Sequence, residues 1–303
     1  MSLDLLQHEV TAETPFLPAS DVTVMTDQLM EDEREEVLAF LQENPLRTVA
    51  MAGFIRDNGF RSGYNRGIFW GCRNSEGELE GVALIGHVTL IEARTQRAVR
   101  ELALVAQVSA RKHMILGERE QVAAFWAAYA DSGQPLRRAC RERLFELRHA
   151  VAVTKEVEGL RRATPADIDL IAPVHAAMAE EESGVNPLNT DPEGFVGRCL
   201  RRIKAGRVWV NIEDGRLLFK ADVQADTPNV VYLEGVWVAP SERNTGFGRR
   251  CVTQLSRDLL LRTKSVCLLV NEENERAHNF YRRCGFRYEG VYDTIFLQRD
   301  CRS

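Results

Sequence analysis

The chain has 303 residues, 45% of them apolar and 27% charged, with a formal net charge of -5 and a sequence pI of about 5.8. That length suits two domains better than one core, and the acidic balance argues against a nucleic-acid partner, because no basic face is implied to displace counterions from phosphates. No run of about 18 apolar residues is present and the first ten residues lack the basic opening of a secretory signal, so a cytoplasmic protein without membrane contact is expected.

The seven cysteines are scattered and never spaced as C-x-x-C, and the six histidines form no metal-binding pattern. Free thiols and no metal site are therefore expected.

In chain order, Asp21–Met25 reads as a short strand and Gln28–Gln42 as a helix. Ile68–Ile85 reads as a hairpin, two apolar runs around a polar turn with glycine. Val88–Ile91 is a strand, Gln96–Gln107 a helix, His113–Leu116 a strand, and Glu118–Tyr129 a helix carrying Val122, Phe125, Trp126 and Tyr129. After a joint near Val151–Gly159, the same order returns. Leu160–Arg162 is a strand. Thr164 caps the next helix with Pro165 at its first position and Asp167 at its third, and Ile168, Leu170, Ile171, Val174, Ala177 and Met178 form its apolar face. Val208–Val223 is a second hairpin and Val230–Val238 a strand. Gly246–Leu261 is a helix, Ser265–Val270 a strand, Glu275–Cys284 a helix, and 287–297 a closing strand or strand pair. The order of elements implies two copies of one α/β unit, at residues 1–150 and 151–303.

Three features of the second copy carry chemistry. Arg243-Asn-Thr-Gly246-Phe-Gly248 follows a strand and opens a helix. Glycines allow close backbone approach, and free amides at a helix start favour a phosphate. The strand before it carries Glu234 in an apolar run and ends at Pro240. A buried, unpartnered carboxylate there would have a raised pKa and suit a general base; the alternative is one that faces solvent or pairs with an arginine. Third, Asn274 reads as the cap of the last helix, with Ala277, Phe280, Tyr281 and Cys284 along its inner side and Gly285 as its stop.

The run Val236-Trp237-Val238-Ala-Pro240-Ser-Glu-Arg243-Asn244-Thr245-Gly246-Phe247-Gly248 resembles the phosphate loop of the GNAT acetyltransferase superfamily. Asn274-x-x-Ala277-x-x-Phe280-Tyr281-x-x-x-Gly285-Phe286 resembles its second motif block. The resemblance spans about 140 residues, and two blocks at the right separation are more specific than either alone.

It implies two tandem α/β units, each a mixed, mainly antiparallel twisted sheet flanked by helices. It implies acetyl-coenzyme A as cosubstrate, with amides from Arg243 to Arg249 on the pyrophosphate and the Val236–Val238 backbone on the pantetheine arm. Asn274 and Ala277 would lie near that arm, and Tyr281 near the sulfur as general acid. Glu234 is not fixed by the motif but sits where related enzymes often place a base.

The expected reaction is direct attack by an amine acceptor, of small-molecule or peptide type, with no acyl-enzyme; self-association is left open. The alternative is a coenzyme A-binding regulatory or protein-interaction module without turnover. The first copy has no glycine after its fourth strand, where Glu92-Ala-Arg-Thr-Gln leads straight into a helix. It resembles a worn copy without the phosphate loop. Glu180-Glu-Glu182 reads either as an attractor for a cationic amine or as a solvated helix end. Bulky side chains at Gly246 and Gly248 are expected to block the coenzyme and leave the fold intact.

Overall fold

The structure, a computed structural model, describes residues 25–298 apart from 110, 111 and 154. The expected strand Asp21–Met25 thus lies almost wholly outside the described residues. The chain divides into two compact units. Among the described residues no helix is long and apolar enough to cross a membrane. The six described cysteines are free thiols, and Cys301 lies outside the described residues.

The first unit opens with β1 (Met25–Gln28), α1 (Arg34–Gln42) and α2 (Pro45–Asn58), followed by β2 (Gly67–Arg73), β3 (Leu79–Gly86) and β4 (Val88–Ala93). It continues through α3 (Gln96–Val108), β5 (Met114–Glu118), α4 (Arg119–Tyr129) and β6 (Leu136–Leu147). β1 to β4 form an antiparallel ladder, and β4 pairs with β5 in parallel over Val88–Leu90 and Met114–Leu116. The parallel pair needs a crossover, which α3 supplies.

The unit does not end at residue 150. It also takes in Leu269–Asn274 and the C-terminal piece from Glu289. The final strand β12 (Arg287–Leu297) lies antiparallel to β5, with Tyr292 opposite Glu118 and Phe296 opposite Met114. It also neighbours β6, where Arg141 pairs with Asp293 at 2.9 Å and Thr294 donates to Glu142 at 2.6 Å. Tyr292 to Leu297 are all buried, and Ile295 and Leu297 join the core formed by α3 and α4. The end of the strand is apolar on both faces, and both are covered: Ile295 and Leu297 by α3 and α4, Phe296 by His113 and Arg137. A sequential division at residue 150 therefore separates residues that pack together.

The second unit contains β7 (Arg161–Arg162), α5 (Ile168–Ser183), α6 (Pro187–Thr190) and α7 (Pro192–Lys204). Then come β8 (Val208–Glu213), β9 (Arg216–Asp226), β10 (Val230–Val238), α8 (Phe247–Leu260), β11 (Ser265–Asn271) and α9 (Glu275–Arg283). Its strand order is β11-β10-β9-β8-β7, antiparallel except for the parallel pair β10–β11. The two units thus repeat one topology: four antiparallel strands, then a helix crossover to a fifth, parallel strand.

The stretch from β7 into α5 is held by charge. Arg161 makes two hydrogen bonds to Asp167, at 2.8 and 2.9 Å, and the Thr164 amide donates to the same carboxylate at 2.7 Å. The Arg161 bond is the main reason that the Asp167 pKa falls to about 2, with the Thr164 bonds adding to it against the cost of burial. A depressed folded-state pKa means that the stabilisation is complete above the unfolded value, near 3.8, and is lost as the pH falls toward 2. Asp167→Ala is expected to lower stability by about 1–2 kcal/mol at neutral pH. In urea titrations the difference from wild type should shrink progressively below the unfolded pKa; a difference that persists unchanged at the acid end would contradict the assignment.

Candidate functional site

β10 has nine residues, but only Val230–Tyr232 pair with β11, opposite Ser265–Cys267. Farther on, its recorded partners are on β9 alone, and from Glu234 to Val238 every residue is half-buried. The ladder with β9 is interrupted there. Glu234 faces Asp222 and Trp237 faces Lys220, so Gly235 and Val236 together oppose the single residue Ala221. This is a β-bulge. Gly235 has φ +58°, a region that favours glycine. After the bulge Trp237 and Val238 rejoin the ladder opposite Lys220 and Phe219, while the other side of the Val236–Val238 backbone, beyond the last pair with β11, is an edge on which an extended ligand can lie.

After Ala239, a short turn over Pro240–Glu242 leads to Arg243, whose Nε donates to Val238 O at 3.0 Å. Asn244 and Gly246 both have positive φ, 67° and 82°. Thr245 donates to Glu242 O at 2.9 Å and accepts from the Phe247 amide at 3.2 Å. Gly246 is the cap residue of α8 and brings no side chain to it. Asn244, Thr245, Gly246 and Arg249 are exposed, while Phe247 and Gly248 are buried. The result is an open helix start, positive by its dipole and by Arg249, suited to an anion.

Gly248 is the meeting point. A Cβ there would lie 2.7 Å from Val238 Cγ2 and 3.6 Å from a ring carbon of Phe280. The end of β10, the first turn of α8 and helix α9 thus converge on one position. Arg276 in the first turn of α9 donates to Asn244 at 3.3 Å, tying α9 to the loop as well. Tyr281 is 9% exposed and stacks edge-on against Phe280 and Phe286. Burial pushes its phenol above the ordinary range, and the neighbouring Cys284 adds to this, so the hydroxyl keeps its proton at neutral pH. Ala277 is half-buried on the same helix, and the buried His278, absent from the sequence reading, packs on Phe145. Asn274 directly precedes α9 but clusters with the first unit, and its amide donates to Asn271 O at 3.0 Å.

Glu234 is neither deeply buried nor unpartnered. Its side chain is 32% exposed, and Arg202 from α7 donates to its Oε1 at 2.7 Å. The arginine-paired alternative is the one observed. Behind it stands a polar cluster that sequence reasoning missed, made of Lys220, Asp222, His175 and Arg202. Oxygen and nitrogen atoms of His175, Asp222 and Glu234 lie within 4.8 Å of one another; each carboxylate is paired through one oxygen, Asp222 Oδ2 with the Lys220 ammonium and Glu234 Oε1 with the Arg202 guanidinium, while Asp222 Oδ1 is buried without a hydrogen bond. Opposite charges at i and i+2 in an apolar strand were the available signal for Lys220 and Asp222. Glu180, Glu181 and Glu182 are exposed at the end of α5, and Asn186 donates to Glu180 at 2.8 Å.

The first unit ends its fourth strand differently. Gln121 from α4 accepts from the Ala93 amide at 3.0 Å and donates to Ala93 O at 3.2 Å, so its side chain occupies the backbone edge at the end of β4. Thr95 caps α3 by accepting from the Ala98 amide at 3.1 Å, and it donates to Glu80 at 3.2 Å.

Residues 177–286 match the sequence profile of the acetyltransferase (GNAT) family. No curated protein sequence matches the chain. Among solved structures, a GNAT-family acetyltransferase from Colwellia psychrerythraea aligns with a TM-score of 0.57 at 13% identity, covering 91% of this chain and 100% of the other. A Drosophila protein aligns at 0.66 and 13% identity, covering 91% and 99%. A tandem GNAT protein from the clavulanic acid biosynthesis pathway aligns at 0.55 and 14% identity, covering 92% and 100%. At such identities the shared property is the fold, and it extends over nearly the whole chain.

The contact at Gly248 changes one expectation. A side chain there would press on the stiff Val238, so bulk at this position would disturb packing as well as any ligand. Gly248→Val is expected to cost about 1–3 kcal/mol, seen as a lower melting temperature in the absence of any ligand. A variant as stable as wild type would show that β10 and α8 do not meet so closely.

Proposed function

We propose that the second unit, in which residues 177–286 match the acetyltransferase (GNAT) family, transfers an acetyl group from acetyl-coenzyme A to an amine by direct attack. The supporting observation is the convergence at Gly248 of the bulged strand, the open helix start and α9. The three segments that the chemistry needs are in contact with one another, although about 40 residues of sequence separate the outer two.

The residues fit the cosubstrate. Amides from Arg243 to Arg249 at the start of α8 would hold the pyrophosphate, with Arg249 exposed beside them. The Val236–Val238 backbone would pair with the pantetheine amides as an added strand and supply donors for charge that builds on the thioester oxygen. Tyr281 keeps its proton and so can give it to the departing thiolate. Glu234, or a water held by it, would take the amine proton, with Arg202 fixing the orientation of the carboxylate. No step uses a cysteine nucleophile, and burial pushes Cys251 and Cys284 up to about 12, far from the thiolate state.

The first unit would serve the fold without binding a coenzyme. At the end of its fourth strand, Gln121 already satisfies the backbone edge that a pantetheine arm would use. Thr95 already satisfies an amide at the start of α3, and Glu80 beside it would repel a phosphate. A fold can outlast its site, because core and site are separate constraints.

Thiol release from acetyl-coenzyme A in the presence of a panel of amines tests the reading and separates it from a binding module without turnover. In that assay Tyr281→Phe is expected to lower kcat by about ten- to a thousand-fold, while coenzyme A affinity stays the same. A fully active Tyr281→Phe enzyme would mean that another group protonates the thiolate; release by no amine at all would remove the transferase reading.

A further inference from the structure

We propose that Lys220 and Asp222, side by side on β9, are positioning residues for the transfer: they hold the bulge at Gly235, and with it the direction of the Val236–Val238 backbone and of the Glu234 side chain. The proposal rests on the coenzyme reading of the second unit.

The two residues stand two apart on one strand and so share a face. Both are fully buried. Lys220 Nζ donates to Asp222 Oδ2 at 2.6 Å and to Gly235 O at 3.2 Å. An ammonium has three protons to give, so one group both neutralises the carboxylate and satisfies the carbonyl of the bulge. The fit requires glycine: a Cβ on Gly235 would lie 2.8 Å from Lys220 Nζ and 2.9 Å from Asp222 Oδ2. Bulge and ion pair are therefore built around each other.

The pair also reaches Glu234. Arg202 Nη1 lies 3.8 Å from Asp222 Oδ2 and 2.7 Å from Glu234 Oε1. His175 Nδ1 lies 3.5 Å from the same Asp222 oxygen. Burial, with Lys220 and Arg202 nearby, pushes His175 down to about 3, so this ring is neutral and adds no third positive charge. Burial would raise the Asp222 pKa, yet the charges of Lys220 and Arg202 hold it below the ordinary value. Lysine, aspartate, arginine and glutamate thus form a charge-balanced chain from the inner face of β9 to the half-exposed carboxylate. Two ions buried only for stability would be an inefficient choice, since apolar side chains of the same shape serve as well or better. What the ions add here is a donor at Gly235 O and an anchor for Arg202.

The test uses the full-length chain with Lys220→Met/Asp222→Asn, which removes both charges and the donor to Gly235 O. Amide hydrogen exchange on the free protein reads the bulge without any acceptor. Exchange is expected to rise about tenfold in the Glu234–Val238 segment and to stay near wild type in the β8–β9 ladder away from it. With acetyl-coenzyme A and an amine accepted by wild type, kcat should fall about a hundredfold, as for a misplacement of about 1 Å, while the KM for acetyl-coenzyme A changes much less. A purely structural role predicts faster exchange throughout the unit and an unchanged kcat per folded enzyme; that result, or unchanged exchange with wild-type kcat, overturns the proposal. If the double variant does not fold, Asp222→Asn alone decides by the same two readouts. A wild-type chain that binds no coenzyme would refute the functional reading, while the exchange result would still decide whether the pair holds the bulge.

Discussion

The second unit depends on where two parallel strands stop pairing. β10 and β11 share three residue pairs and then β10 continues with a partner on one side only. A strand edge left unpaired inside a fold has backbone donors and acceptors to satisfy. Here the edge is shaped by a bulge and followed by a helix start whose cap residue, Gly246, brings no side chain, although Thr245 accepts from the Phe247 amide. The glycines mark the places where that path is tightest: Gly235 against Lys220 and Asp222, Gly246 in the left-handed turn, and Gly248 against Val238.

The first unit shows what the same topology does without that opening. Its fourth and fifth strands also share three parallel pairs, but a glutamine side chain takes the free edge and a threonine takes the helix start. The amide and carbonyl of Ala93 and the amide of Ala98 are thereby satisfied within the unit. Two units with equal strand order thus differ in the side chains at one end of one strand. What the first unit does require is the last strand of the chain, whose apolar end is part of its core. This explains why a fragment cut at residue 150 would deprive the first unit of a sheet strand.

Much of this was legible in the sequence, and the rest was not for identifiable reasons. β10 was readable to the residue because a run rich in valine and aromatic residues, broken only by Glu234 and Gly235, leads up to Pro240, and α5 because Thr164, Pro165 and Asp167 spell a helix start. The glycine loop and the Tyr281 block were readable because they need particular residues at particular spacings. β6 was missed because its arginines and glutamates mask any alternation; its charges are satisfied by β12, more than a hundred residues away. α7 was missed although Asp191, Pro192 and the spacing of Phe195, Cys199 and Ile203 announce it. The partner of Glu234 was not legible at all, because Arg202 comes from that helix and meets β10 only in the folded chain.

One coenzyme is expected to bind per chain, at the open start of α8, with the matching place in the first unit closed by its own side chains. Backbone amide shifts followed by NMR during a titration with coenzyme A test it most directly, because they give both the number of sites and their address. A single saturating event is expected, one that moves the amides of Val236–Val238 and Asn244–Arg249 and leaves those of Ala93, Thr95 and Ala98 in place. Saturation at two coenzymes, or shifts centred on Thr95 and Ala98, would contradict it.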